Sequence, residues 1–161
     1  MRGRLLASSC EACVQACPAE AITLAADDPE LNPDLCSLCG GCVAACPEHV
    51  FALELPALRW ADGKARFSPC PDHALSQAPL YLAPVQSLGM GELAVLWLQG
   101  VRDLEVAPGR CDDHLTPPLQ EVAGRIKRFN ALARARGLPG FTLSRATPAQ
   151  ARAWRDQADQ P

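Results

Sequence analysis

Residues 36–47 read Cys36-Ser37-Leu38-Cys39-Gly40-Gly41-Cys42-Val43-Ala44-Ala45-Cys46-Pro47. Four cysteines stand at C-x2-C-x2-C-x3-C with a proline after the last, the spacing that holds an iron–sulfur cube. Three thiols fall within one tight loop, and the fourth leaves it at the end of a short helical run. Gly40 and Gly41 have no Cβ, so the backbone there can pass close to inorganic sulfide and donate N–H bonds to it.

Working outward, the same pattern occurs upstream. Cys10, Cys13 and Cys17 recur 29 residues later as Cys39, Cys42 and Cys46. Proline follows both Cys17 and Cys46, and the sequels Ala-Glu-Ala-Ile-Thr-Leu and Glu-His-Val-Phe-Ala-Leu align as well. Each half of this internal repeat predicts a cluster loop, a short helix and a strand, with strands over 21–24 and 50–53. Residues 26–33, Ala-Asp-Asp-Pro-Glu-Leu-Asn-Pro, read as a polar, turn-rich connector.

Seven of the nine cysteines lie between positions 10 and 46 of the 161 residues. Such density means either a disulfide framework or metal ligation. The opening Met-Arg-Gly-Arg-Leu-Leu-Ala contains no apolar core long enough for a secretory leader, and no apolar run approaches a membrane span. The expectation is therefore metal ligation in a reducing, cytoplasmic setting.

Residues 1–56 resemble the two-cluster bacterial ferredoxin family, a pseudo-twofold pair of β-α-β units. The resemblance implies that the fourth cysteine of each motif ligates the cluster of the other. Carried over, Cys17, Cys36, Cys39 and Cys42 would hold one 4Fe–4S cluster, while Cys10, Cys13 and Cys46 would hold a second. The family's remaining ligand falls on Ala7, which cannot bind iron. The second site could be a 3Fe–4S cluster with three thiolates. It could also be a 4Fe–4S cluster completed by Cys70, Cys111, Ser8 or Ser9, or by a residue upstream of Met1. A vestigial site with three free thiols is the remaining reading.

The net charge of −3 conceals a division. Residues 1–123 contain 7 basic and 16 acidic side chains, and residues 124–161 contain 8 basic and 2 acidic. An acidic body with a basic C-terminal element bears on partners more than on fold. Eight carboxylates against two arginines in residues 1–56 push a cluster's potential downward.

Proline and glycine punctuation (Pro56, Gly63, Pro69, Pro71) places a boundary near residues 57–65. The sequence predicts an α+β ferredoxin-like dicluster module over 1–56, a small α/β domain over 57–140, and a helical tail over 141–161. Within the second part, 64–68 and 101–107 read as strands, 80–85 as a further short strand, and 92–99 as a helix with Ser87 as a capping candidate. Thr116 and Pro117 start the clearest helix, with Leu119, Val122, Ala123, Ile126, Phe129, Asn130 and Ala133 on its apolar face, and Gly137 stops it. Arg125, Lys127, Arg128, Arg134 and Arg136 crowd the opposite face, either as a solvated face suited to the helix dipole or as a dock for an acidic partner. A last helix follows Thr147-Pro148 over 149–157. Strand and helix alternation predicts parallel pairing.

Cys70-Pro-Asp-His73 and Cys111-Asp-Asp-His114 are both C-x2-H. Two cysteines and two histidines could hold zinc or a His-ligated 2Fe–2S centre, form a thiol pair, or hold nothing. Residues 64–138 also resemble the small cysteine-bearing α/β domain of the hydrogenase delta-subunit type. There is no G-x-G-x-x-G after a strand, no phosphate loop, and no assembly of nucleophile, base and orienting acid. Aromatics at 5% and an acidic body argue against nucleic acid; Trp60, Trp97 and Trp154 read as packing residues.

The expectation is an electron carrier or a non-catalytic oxidoreductase subunit that docks to a redox partner. A redox or oxygen sensor and a cluster-carrier or scaffold protein are the alternatives.

Overall fold

The computed structural model describes residues 10–25, 28–48, 50–51, 60–61, 63–69, 82–108 and 119–158. The cysteine repeat gives two short helices, α1 (Ala12–Gln15) and α2 (Gly41–Ala45), packed against each other. Between them, β1 (Ile22–Ala25) pairs antiparallel with β2 (Asp28–Leu31), Ile22 opposite Leu31 and Ala25 opposite Asp28. The polar stretch expected to be only a connector therefore contains a strand. Pro29 is accommodated because each strand of a two-stranded sheet has a free edge where its missing N–H costs nothing. Of the strand expected at 50–53, Val50 and Phe51 lie outside any strand, and residues 52–53 lie outside the described residues.

The second half contains a four-stranded sheet ordered β3 (Trp60–Ala61), β4 (Lys64–Phe67), β5 (Asp103–Val106) and β6 (Thr142–Arg145). β3 runs antiparallel to β4, and β4, β5 and β6 run parallel, as strand–helix alternation predicts. Register explains the layering. Ala65, Leu104 and Leu143 are aligned across the three parallel strands, and Phe67 is opposite Val106. These residues face α3 (Met90–Leu98) and α4 (Leu119–Arg134), whose Leu93, Leu96, Val122 and Ile126 complete one core with Val85, Leu88, Val101 and Phe141.

The opposite sheet face is polar. Glu105 accepts from Lys64 Nζ at 3.1 Å, with Arg66 Nε at 3.7 Å. Arg66 lies 5.2 Å from the ring centre of Trp154 in α5 (Pro148–Ala158), so the aromatic face covers a cation that the sheet has turned away from its core.

Several boundaries depart from the sequence reading. Thr142–Arg145 belongs to the sheet and not to a helical tail. Asn130 of α4 fixes it there: its Nδ2 donates to Phe141 O at 2.9 Å, and its Oδ1 accepts from Phe141 N at 2.7 Å. The expected strand at 80–85 reduces, among its described residues, to one parallel bridge between Ser68 and Pro84, then a 3₁₀ turn over Val85–Ser87. Pro84 has no N–H to extend a ladder. Ser87 does not cap α3; its hydroxyl donates to Pro84 O at 2.7 Å. Gly89 takes the cap position, and its N–H donates to Glu92 Oε2 at 3.0 Å. Ala123, expected on the buried face of α4, is exposed. Thr147 and Gln150 cap α5 reciprocally: Thr147 N donates to Gln150 Oε1 at 2.7 Å and Gln150 N to Thr147 Oγ1 at 3.3 Å. The cap expected at Thr116 and Pro117 lies outside the described residues, as does the side chain of Trp60.

Candidate metal centre

Cys10 and Cys17 flank α1 with Cys13 inside it, and Cys39 and Cys46 flank α2 with Cys42 inside it, so the 29-residue repeat becomes two similar loop–helix units. All seven described cysteines are free thiols. Cys13 and Cys39 are buried, Cys17, Cys36, Cys42 and Cys46 are half-buried, and Cys10 is exposed. The loop between Cys36 and Cys42 turns twice through left-handed backbone, at Leu38 (φ 56°) and Gly40 (φ 73°). Glycine adopts that conformation freely; leucine pays about 1 kcal/mol for it.

Backbone amides are aimed at sulfur. Ala21 N donates to Cys17 Sγ at 3.3 Å, and Val50 N donates to Cys46 Sγ at 3.3 Å. These two bonds are related by the repeat, four residues beyond equivalent cysteines. Leu38 N donates to Cys36 Sγ at 3.4 Å, which links the strained turn to a thiol. Such N–H donors stabilise thiolate charge and tune a metal held by it. The sequence signal for the first two was already present, because positions 21 and 50 align in the repeat; the positive φ of Leu38 had none.

Burial, followed by the neighbouring Cys39, pushes the Cys42 thiol up to about 11. Val43 N–H partly opposes this, and Cys17 and Cys36 raise it further. Cys42 therefore shares one electrostatic neighbourhood with Cys39, Cys36 and a thiol from the other motif, Cys17. Among the described residues no three His, Cys, Asp or Glu side chains converge tightly enough to grip a single metal ion. A cube with iron at several corners keeps its thiolates further apart than one ion does. Soft thiolate donors, backbone N–H groups on sulfur and a glycine-lined loop all fit a 4Fe–4S cluster. Cys17, Cys36, Cys39 and Cys42 are the residues that would hold it.

Cys10, Cys13 and Cys46 supply three further thiols on the same helix pair. Ala7, Ser8 and Ser9, weighed for the fourth position, lie outside the described residues. So do Cys70, His73, Cys111 and His114, the two C-x2-H pairs considered for zinc or a 2Fe–2S centre.

Residues 8–51 match the sequence model of the 4Fe-4S dicluster domain family. The match spans the whole cysteine repeat and supports a 4Fe–4S segment of ferredoxin type. It does not extend into residues 64–138, and the hydrogenase-delta likeness of that part finds no support. Comparisons with characterised proteins and with solved structures find no match.

Proposed function

We propose that the chain is an electron-transfer iron–sulfur protein or subunit without a substrate of its own. The observation that carries this reading is the shared neighbourhood of Cys42, Cys39, Cys36 and Cys17 inside a segment of dicluster type. A 4Fe–4S cluster bound by these thiolates takes up and returns single electrons. On this reading Cys10, Cys13 and Cys46 hold a second cluster, 4Fe–4S or 3Fe–4S. The amides of Ala21, Leu38 and Val50 temper the negative charge of Cys17, Cys36 and Cys46.

A redox partner would approach Cys36. Leu35, adjacent to it in the chain, is 54% exposed, and Leu38, whose amide bonds its sulfur, is 60% exposed. Leu38 exposes apolar surface and carries left-handed strain, and a docking partner would account for both. Asp28, Glu30 and Asp34 are exposed beside these leucines in sequence, so the complementary partner carries a basic rim. No helix among the described residues is long and apolar enough to cross a membrane. The reading places the chain in a reducing, cytoplasmic setting, docked to a larger redox complex.

Anaerobic potentiometry tests this reading against the sensor alternative. A carrier cycles reversibly between two oxidation states with its iron content unchanged. Irreversible loss of iron on a single oxidation would instead indicate a sensor.

A further inference from the structure

The helix that joins the two cysteine sites is backed by the second half of the chain. α2 contributes Cys42 and delivers Cys46, and its five residues, Gly-Cys-Val-Ala-Ala, carry no charge. It packs on the 3₁₀ turn Val85–Ser87 and on α3. The approach is closest at Gly89, where a Cβ would stand 3.0 Å from Ala44 Cα and 3.0 Å from Ala44 O. That same position lies 2.7 Å from Glu92 Oε2. The Glu92 carboxylate is thus fixed beside the Gly89 contact with α2 by the bond it accepts from Gly89 N.

A cation reaches the same interface from α4. Arg125 Nη2 donates to Gln86 O at 2.9 Å, in the turn on which α2 packs. The guanidinium is half-buried, and its Nε is buried with no hydrogen-bond partner among the described residues. Burial is the main influence lowering its pKa, with Arg128 adding to it and the carboxylates of Glu121 and Glu92 opposing. Arginine nevertheless remains charged at neutral pH. Glu121 and Arg128 are exposed, where solvent and salt screen them; Glu92 and Arg125 are the less exposed pair.

We infer that Glu92 and Arg125, two opposite charges behind α2, set the reduction potential of the clusters held through Cys42 and Cys46. Both are positioning residues that act through α2, and neither is a ligand. An uncompensated charge near a cluster moves its potential, negative charge downward and positive charge upward, and the effect grows as the local dielectric falls. The two charges act on that potential in opposite directions. The second half of the chain is then part of the redox site as well as an anchor for docking. This inference rests on the ligand assignment proposed above.

The test is an anaerobic redox titration of the full chain, read by EPR, with iron content measured on each sample. E92Q keeps an oxygen able to accept from Gly89 N, so it removes charge with little change in the cap. It shifts the potential upward, and R125Q shifts it downward. The double variant E92Q/R125Q returns close to the wild-type value, and R125K and the exposed control R128Q stay there. Potentials unmoved in both single variants, or moved in the same direction, with iron retained, overturn the role of these two charges alone. A wild-type chain that takes up no iron overturns the ligand assignment and this inference with it.

Discussion

Gly89 of the α/β half lies directly against Ala44 of the cysteine module, with room for a hydrogen but not for a methyl group. A side-chain carbon there would meet backbone on one side and the Glu92 carboxylate on the other. The two halves are thus packed through backbone at the helix between Cys42 and Cys46.

Gly89→Ala should therefore destabilise the chain by about 1–3 kcal/mol, the usual cost of overpacking a fixed contact. Its backbone is extended (φ −87°, ψ −174°), which alanine adopts freely, so the cost is steric alone. Gly124, within α4, has nothing within 4 Å of its Cβ position. Gly124→Ala should stabilise by about 0.8 kcal/mol through helix propensity. Thermal unfolding checks both, and a neutral Gly89→Ala would mean that α2 is not seated on α3.

Asn130 bonds both backbone groups of Phe141 and so ties α4 to the first residue before β6. Asn130→Ala removes both bonds and leaves a half-buried amide and carbonyl unpaired, at a cost of about 2 kcal/mol. Gly140→Ala should reproduce part of this loss, because its Cβ would stand 2.5 Å from Asn130 Oδ1. Hydrogen exchange at Thr142–Arg145 should accelerate in both variants before the rest of the sheet changes.

The protonation of Cys42 gives a pH dependence whose sign is fixed. The folded chain keeps this proton up to about pH 11, whereas an unconstrained thiol releases it near 9.0. Between those values the unfolded chain binds fewer protons, so this group's contribution to stability is present below 9.0 and is lost as pH rises toward 11. Metal ligation has the opposite dependence, since only the thiolate binds iron. Iron uptake by chelator-treated protein, with sulfide supplied, should accelerate as pH rises from 7 to 9. A flat profile would contradict the raised thiol.

Much of the candidate site was legible because ligand chemistry fixes spacing. The offset between Cys17 and Cys46 also aligns Ala21 with Val50, whose amides both point at sulfur. The α3 helix followed from helix propensity, the parallel β4–β5 pair from strand–helix alternation, and the Gly137 stop from glycine's freedom at positive φ. β2 and β6 did not, because their stability lies in distant partners. Asp28–Leu31 looks like a turn until Ile22–Ala25 pairs with it, and Thr142–Arg145 has a polar pattern that acquires a strand role only through β5 and Asn130. The contact of Gly89 and Glu92 with α2 has no periodic signature, since it depends on how two halves of the chain meet.

Anaerobic iron and sulfide analysis of Cys17→Ala beside the wild type tests most directly whether a ligand is shared between the two motifs. Cys17 lies outside the Cys36–Cys42 loop, yet it is assigned to the same cluster. Wild-type protein should bind about seven or eight irons, and Cys17→Ala should lose about four of them, the content of one 4Fe–4S cluster. Cys17→Ala retaining the full wild-type iron and sulfide would contradict the assignment.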